Sequence, residues 1–286
     1  MLRRPKPQTS PTAVLYHADC ADGFGAAWAL WKRFPAATFV PVKHGFAPPT
    51  GLGGQDIVMV DFSYARPTLE SLASEAKSLV VLDHHITAEK ALADLPYAYF
   101  DLTKSGAVLA WEWAHDESIP WLLRYIQDKD LWQWALPDSR EISASLASHP
   151  FDFELWSRLD QQVLLTEGRA ILRYEATLLT KLEAEARTIP FHGSVVPVVH
   201  SPVMTSQLGE RLSAQAPFCV MWHERDGRRY YSLRSSNDGG ADVAAIASAY
   251  GGGGHTHAAG FSIPLPSDGA SLPLDPAGME RRRPPA

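Results

Sequence analysis

The sequence predicts an α/β fold in two domains. The N-terminal domain is built on a mostly parallel sheet with helices on both faces, and a smaller α/β domain follows it. Three observations carry this expectation. Apolar runs and helical patterns alternate in the first half as β-α-β-α-β, the order of a parallel sheet covered on both sides. A Leu-rich helical segment over about 154–187 then interrupts the alternation. Short strand-like runs return after residue 189.

Each element has a local reason. AVLYH (13–17), DIVMVDF (56–62) and SLVVLDHH (78–85) are short apolar runs of the length of buried strands. Gly23–Lys32 and Arg66–Ser78 carry helical spacing between them. Ser105 is placed as the N-cap of a helix reaching Trp113, because its hydroxyl can accept from a free backbone N–H of the first turn. An aromatic-rich helical stretch covers 120–134. In the second domain SVVPVVH, FCVMWHE and RRYYSLRSS read as strands, and ADVAAIASAYGGGGHTHAAGFSIP reads as helix, glycine loop, strand. The expected division is a catalytic domain at 12–153, a helical linker at 154–187 and a second domain at 188–263. Residues 1–11 and 264–286, rich in Pro, Gly and Arg, are expected to be loose tails.

Bulk composition limits the function. The chain has 286 residues, 45% hydrophobic and 20% charged, which suits a soluble globular protein with full cores. Its two cysteines, Cys20 and Cys219, make no disulfide framework and fit a reducing, cytoplasmic setting. No apolar run approaches the roughly 20 residues of a membrane helix. The basic N-terminus has no apolar stretch behind it, so it does not read as a secretory signal. A net charge of -6 argues against broad binding to long nucleic acid. It leaves room for a small phosphate-bearing substrate whose charge is met by metal ions.

The chemistry concentrates where the apolar runs end. They close on His17, on Asp61 and on Asp83, His84 and His85. Carboxyl ends of strands are where open α/β sheets bind ligands. With Asp22 and Asp128 these residues form a carboxylate and imidazole set that suits manganese, iron or zinc better than calcium or magnesium alone. Two adjacent metals would clamp the attacking and leaving oxygens of a phosphoryl displacement, with Asp61 the natural bridge. A lone Asp after a strand is usually a turn residue or a helix cap, and adjacent histidines are usually incidental. The coincidence at three consecutive strand ends is what favours a metal site.

Two further signals lie in the second half. In GGGGHTHAAGF (251–261) the glycines would let backbone N–H groups approach an anion. A helical run before them and an apolar AAGF after them argue against a flexible linker. Arg234 is a candidate phosphate clamp, since a guanidinium matches phosphate oxygens bidentately; the alternative is a surface salt bridge. Trp111, Trp113, Trp121, Trp132 and Trp134 could stack on bases, but their helical spacing favours core packing. Cys20 reads as a metal neighbour or a small packing residue rather than a nucleophile.

HADCADGFGAA (17–27), VDF (60–62), LDHH (82–85), QDKDLW (127–132) and GGGGHTHAAGF, in this order, resemble the motifs of the DHH-family phosphoesterases. The last motif resembles the DHH-associated domain of the RecJ-like and NrnA-like members. The resemblance spans about 13–263. It implies two domains with the active site in the cleft between them, and two metal ions, usually manganese, in the first domain. Carried over, His17 and Asp61 look like ligands of one metal. Asp22, Asp61, His84 and Asp128 look like ligands of the other. His85 resembles the histidine that faces the scissile phosphate, and Asp83 looks like a residue that orients a histidine. Arg234, Gly253, Gly254 and His255 match positions that bind the substrate's phosphate or terminal nucleotide. Many members have Asp where this chain has Cys20. Either the thiol, or Asp19 beside it, could then serve the first metal, or that site fills only with substrate. Asp130 reads as structural.

The expected activity is hydrolysis of di- to tetranucleotides or linear dinucleotides to mononucleotides by a manganese-dependent phosphodiesterase. One alternative is a phosphomonoesterase acting on 3′-phosphoadenosine 5′-phosphate. Another is an inactive nucleic-acid-binding or scaffold protein. The sequence carries no membrane partner and does not specify an oligomeric state.

Overall fold

In the computed structural model, which describes residues 10–266, five strands form one wholly parallel sheet. They are β1 (Ala13–His17), β2 (Thr38–Val42), β3 (Asp56–Val60), β4 (Ser78–Asp83) and β5 (Ala98–Phe100), in the order β2-β1-β3-β4-β5. The helices of this unit are α1 (Ala21–Arg33), α2 (Arg66–Glu75), α3 (Ile86–Leu92), α4 (Gly106–Ala114), α5 (Trp121–Asp130), α6 (Ser139–Leu146) and α7 (Phe153–Trp156). A longer helix, α8 (Gln161–Ala184), follows, and the division between the two compact units falls within it, between Arg173 and Tyr174.

The strands read as unbroken apolar runs because both faces are covered. Val14, Val58, Val60 and Leu82 point to one side, where Trp28 of α1, Val108 of α4 and Leu123 of α5 meet them. Leu15, Ile57, Met59 and Val81 point to the other, against Leu69 and Leu72 of α2 and Leu92 of α3. The order 2-1-3-4-5 has its reversal between β1 and β3. In open α/β sheets the ligand crevice lies beyond the carboxyl ends of the strands at such a reversal. His17 and Asp61 stand on either side of it.

The structure departs from the expected elements in instructive places. β2 and β5 are edge strands absent from the sequence reading. β2 contains Pro41, which an edge strand tolerates, and β5 has only 3 residues. The sheet releases the chain after Val60 and Asp83, so Asp61, His84 and His85 lie just past the strand ends. The stretch 120–134 is helical only to Asp130. Trp132 and Trp134 lie beyond it in a left-handed backbone, at φ 56° and 52°. The segment expected as one helix over about 154–187 is broken between Trp156 and Gln161. The placement of Ser105 holds: its side chain accepts from the Val108 N–H.

The second unit has six strands, β6 (Arg187–Phe191), β7 (Ser194–His200), β8 (Cys219–Arg225), β9 (Arg228–Arg234), β10 (Gly253–His255) and β11 (Ala258–Pro264). Their order is β10-β11-β9-β8-β7-β6, antiparallel except for β7 with β8. One face, with Val198, Val220, Tyr231, Leu233 and Phe261, packs on α10 (Val243–Ser248). The other packs Val199, Cys219 and Met221 against Leu208 of α9 (Thr205–Leu212) and Leu179 of α8.

The expected glycine loop is half strand. Gly251 closes a turn, Gly252 follows it, and Gly253–His255 pairs with β11. Gly254 sits at φ 142°, and a Cβ there would lie 2.5 Å from the Ala258 carbonyl oxygen. Glycine is needed here for close strand contact. The expected C-terminal tail also begins too early: Pro264 closes β11 and the Leu265 N–H donates to the Gly227 carbonyl. Of the two tails, residues 1–9 and 267–286 lie outside the described residues.

Gly23 sets the start of α1 against β1. A Cβ there would stand 2.2 Å from the His17 carbonyl oxygen and 2.8 Å from the His17 Cβ. Gly23→Ala should therefore push α1 off the strand end. The expected cost is about 1–3 kcal/mol of unfolding free energy, as for other overpacked cores, read as a lower urea midpoint with the slope unchanged.

Candidate metal centre

Asp61 is the centre of the cluster. It follows β3 directly, is 1% exposed and sits at φ 53°. For a residue other than glycine, this backbone costs about 1–3 kcal/mol and tends to be retained where function uses it. Its N–H donates to the Leu82 carbonyl, which ties the turn to β4. Its carboxylate Oδ1 lies 3.0 Å from Nε2 of His84. Its Oδ2 has no hydrogen-bond partner although it is buried, and His17 Nδ1 lies 3.5 Å from it. Gly106, at the start of α4, makes room for it: a Cβ there would be 2.5 Å from the Asp61 Cβ and 3.0 Å from Asp22 Oδ2.

Asp22 enters from the first turn of α1 and is 2% exposed. It accepts from the Gly106 N–H at 2.6 Å and the Ala107 N–H at 2.9 Å, capping α4 from another helix. The positive end of the α4 dipole favours a carboxylate there. Asp130, the last residue of α5, brings its Oδ2 within 3.6 Å of His84 Nε2. Asp22 Oδ2 is also 3.6 Å from that nitrogen. His84 is thus surrounded by three carboxylates while only 4% exposed.

Asp83 and His85 form a separate pair. Asp83 Oδ1 accepts from the His84 N–H at 2.7 Å and meets His85 Nδ1 at 2.6 Å. Ser63 donates to Asp83 Oδ2 at 2.5 Å. Asp83 thus joins the backbone of His84, the ring of His85 and the hydroxyl of Ser63. Cys20, at the N-cap of α1, groups with His17 and Asp61: one donor atom from each lies within 4.8 Å of the others. The same spacing holds for Asp61, Asp83, His84 and His85, and for Asp22, His84 and Asp130. A recess of about 50 Å³ opens beside these carboxylates, lined by Cys20, Asp22, Ile126, Lys129, Asp130 and Leu146.

Two expected ligands are placed elsewhere. Asp128 spends its carboxylate on the Ala135 N–H at 2.9 Å and the Leu136 N–H at 3.2 Å, pinning the loop after α5. Asp130, expected to be structural, stands in the cluster instead. Asp19 points away, exposed and ion-paired to Lys43. The structure thus brings together His17, Cys20, Asp22, Asp61, Asp83, His84, His85 and Asp130, but not Asp19 or Asp128. It also adds His44, which the sequence reading missed. Its ring stacks on Phe62 with centroids 4.4 Å apart and lies 5.5 Å from His17. His17 ends β1 and His44 stands two residues past the end of β2, so recognising that edge strand would have exposed it. The signal for Asp130 was the buried stripe Leu123 and Ile126, which Asp130 continues at i+7 and i+4.

The electrostatics are those of a site short of positive charge. Burial pushes the Asp22 carboxyl well up, and Asp130 and Asp61 push it further. Burial raises Asp130 too. Burial opposes ionisation of Asp61 as well, but the imidazoles of His17, His84 and His85 outweigh it and hold that carboxyl low. Burial lowers His84, yet its bond to Asp61 and the charges of Asp22 and Asp130 win, and it is pushed up to about 10. The Cys20 thiol is raised well above its usual range by burial and the neighbouring carboxylates. The buried, unpartnered Oδ2 of Asp61 and this crowd of carboxylates and imidazoles fit a divalent transition ion.

In the second unit, Arg234 ends β9 with its stem on Gly209 of α9, where a Cβ would lie 2.4 Å from the Arg234 Cγ. Its guanidinium donates to the Leu233 carbonyl at 2.9 Å and to Ser206 Oγ at 3.3 Å. Among the described residues no carboxylate pairs with it. Burial pushes its pKa down, the mark of a cation held half-dry. Arg234 is opposite Ala258, and Ala258 is opposite His255, so the two side chains stand on one face with a methyl group between them.

No protein-family profile matches the chain. It is 32% identical to the uncharacterized protein R106 of Acanthamoeba polyphaga mimivirus, over 87% of this chain and 67% of that one. Among solved structures it is similar to the pGpG-specific phosphodiesterase PggH of Vibrio cholerae, at 12% identity, 94% and 96% coverage and a TM-score of 0.48. It is also similar to an exopolyphosphatase-related protein of Bacteroides fragilis, at 14% identity, 91% and 87% coverage and a TM-score of 0.47. The DHH domain of a member of a ribosomal-protein family is similar at 14% identity, 90% and 83% coverage and a TM-score of 0.49.

A pH test of the cluster follows. A His with a raised pKa stabilises the fold fully below its unfolded value near 6.5, and the contribution is lost as pH rises through the folded value. For His84 that value is about 10. In chelator, urea midpoints should therefore fall between pH 6.5 and 10. His84→Gln should flatten that slope, and added manganese should raise the midpoint at pH 8 in the unmutated chain.

Proposed function

We propose that this chain, which belongs to the family of the mimivirus protein R106, is a metal-dependent phosphoesterase of the DHH type acting on short oligonucleotides or linear dinucleotides. The observation that carries the reading is Asp61, a buried carboxylate with one oxygen unpartnered, shared between His17 and Cys20 on one side and His84 on the other. His17, Cys20 and Asp61 would hold one ion; Asp22, Asp61, His84 and Asp130 would hold a second. Manganese bound there supplies Lewis-acid activation of water and neutralises phosphoryl charge.

The chain's own groups do the rest. Asp22 is locked by the amides of α4, so its carboxylate keeps one orientation. Asp83 holds Nδ1 of His85, so Nε2 is the ring nitrogen that can be offered to a phosphoryl oxygen. The turn after β3 holds Asp61 in a conformation that a relaxed chain would leave. Arg234 supplies a cation for the phosphate or terminal nucleotide of the substrate, with His255 and Gly253 of the edge strand beside it. The retained carboxylates and histidines oppose the alternative of an inactive scaffold, whose mark would be their loss.

The test is a chelator-stripped preparation restored with manganese and given dinucleotides, a 20-mer, 3′-phosphoadenosine 5′-phosphate and pyrophosphate. Dinucleotide cleavage should dominate. Phosphate release from the monoester alone would replace this reading with that of a nucleotide phosphatase. Asp61→Ala should lower kcat/KM on the dinucleotide by about 100-fold or more, since it removes an electrostatic group of the reacting centre. Arg234→Ala should mainly raise KM, by about 10- to 100-fold, as expected for one charged hydrogen-bonding partner of the substrate. Asp130→Asn should reduce metal uptake measured by titration, and Asp128→Asn should not.

A further inference from the structure

We infer that the second unit carries an extended binding face for single-stranded oligonucleotide, running along β9 from Arg234 to Arg228. The ligand class rests on the function proposed above, but the face rests on its own residues.

The face follows from register. Side chains directly opposite in an antiparallel pair point the same way. Arg234, Ser232, Tyr230 and Arg228 alternate along one side of β9. Opposite them on β8 stand Cys219 and Met221, which α9 covers, and then His223 and Arg225. Opposite them on β11 stand Ala258, Gly260, Ser262 and Pro264. β10 adds Gly253 and His255. These positions on the four strands include no Asp or Glu, against a net charge of -6 for the chain. Of the two acids of this hairpin, Glu224 belongs to the opposite face, where it pairs with Arg229, and Asp226 lies in the turn, where it pairs with Arg225.

The surface suits a nucleic-acid strand more closely than it suits a single anion. Arg228 and Arg234 are six residues apart, about 20 Å along a strand. Neither has a carboxylate partner among the described residues. Arg228 is aimed across the sheet by bonds to the Ser262 hydroxyl and carbonyl. Between the two arginines stands Tyr230, its ring parallel to His223 at 5.2 Å and 9°. Arg225 lies 5.4 Å from the same ring. Both of these neighbours come from β8. On the β11 side Ser262 stands opposite Tyr230, and the next positions are Gly260 and Ala258. The floor beside the ring is therefore low enough for a flat base to lie against it, with phosphates reaching an arginine at each end. Aromatic stacking between spaced cations is how sequence-tolerant single-strand binding is built.

The test uses the full chain in chelator, so that binding is read without turnover. A labelled eight-residue single-stranded oligoadenylate is titrated by fluorescence anisotropy. Tyr230→Ala and Arg228→Ala should each weaken it about tenfold, and Tyr230→Phe should not. With manganese, the same variants should cleave dinucleotide at the unmutated rate, which also reports that they fold. Unchanged affinity in both alanine variants would overturn the inference. So would inorganic polyphosphate competing as well as the oligonucleotide, since the face would then read charge alone. If the eight-mer binds through these residues but no dinucleotide is cleaved, the face stands and the phosphoesterase reading falls.

Discussion

The structure of the first unit depends on one constraint: a carboxylate must stand ionised and buried at the reversal point of a parallel sheet. Asp61 meets it in a left-handed turn, a backbone that few residues other than glycine adopt. The strain is held by neighbours that cannot easily move. The Leu82 carbonyl receives its N–H, and α4 presses a glycine against its Cβ. A second glycine, Gly23, lets α1 close on the carbonyl of His17. The two close approaches bring α1 and α4 together and carry Asp22 to the amides of Gly106 and Ala107. Backbone packing and the electrostatics of the site are thus one arrangement.

That arrangement is costly without a cation. Burying carboxylates side by side is unfavourable unless opposite charge compensates. In the bare chain His84 provides it, protonated among Asp22, Asp61 and Asp130. One imidazolium against three carboxylates leaves the balance negative, and Asp22 and Asp130 respond by holding their protons more tightly. A divalent ion would reverse each of these shifts, because it favours ionised carboxylates and neutral imidazole.

Much of this was legible in the sequence, and the failures have physical causes. β1, β3 and β4 announce themselves because they are buried on both faces, and their polar terminal residues then point to the crevice. β2 and β5 do not, because edge strands are short, half-exposed and tolerant of Pro41. Losing β2 also hid His44. The choice between Asp128 and Asp130 turns on helix phase: two residues apart, they face nearly opposite sides of α5. Residue type says nothing about which side meets the site, and only the buried stripe of Leu123 and Ile126 does. Of the four glycines at 251–254, Gly252 and Gly254 mark a close approach of backbone to β11, which a glycine-rich sequence alone does not distinguish from a loop.

Net charge concealed the most. A value of -6 for the whole chain argues against an extended nucleic-acid surface only if the charge is evenly spread. It is not. The first unit gathers carboxylates at one sheet edge, where a metal would offset them. The second unit places Arg228, Arg234 and His255 on one sheet face and puts Glu224 on the other. Alternation along β9 does this at no cost to the core, since Tyr231 and Leu233 occupy the intervening positions and fill the side facing α10. A strand with a period of two can therefore carry core on one side and a row of cations and small residues on the other. The sign of the local field is then set by register rather than by composition.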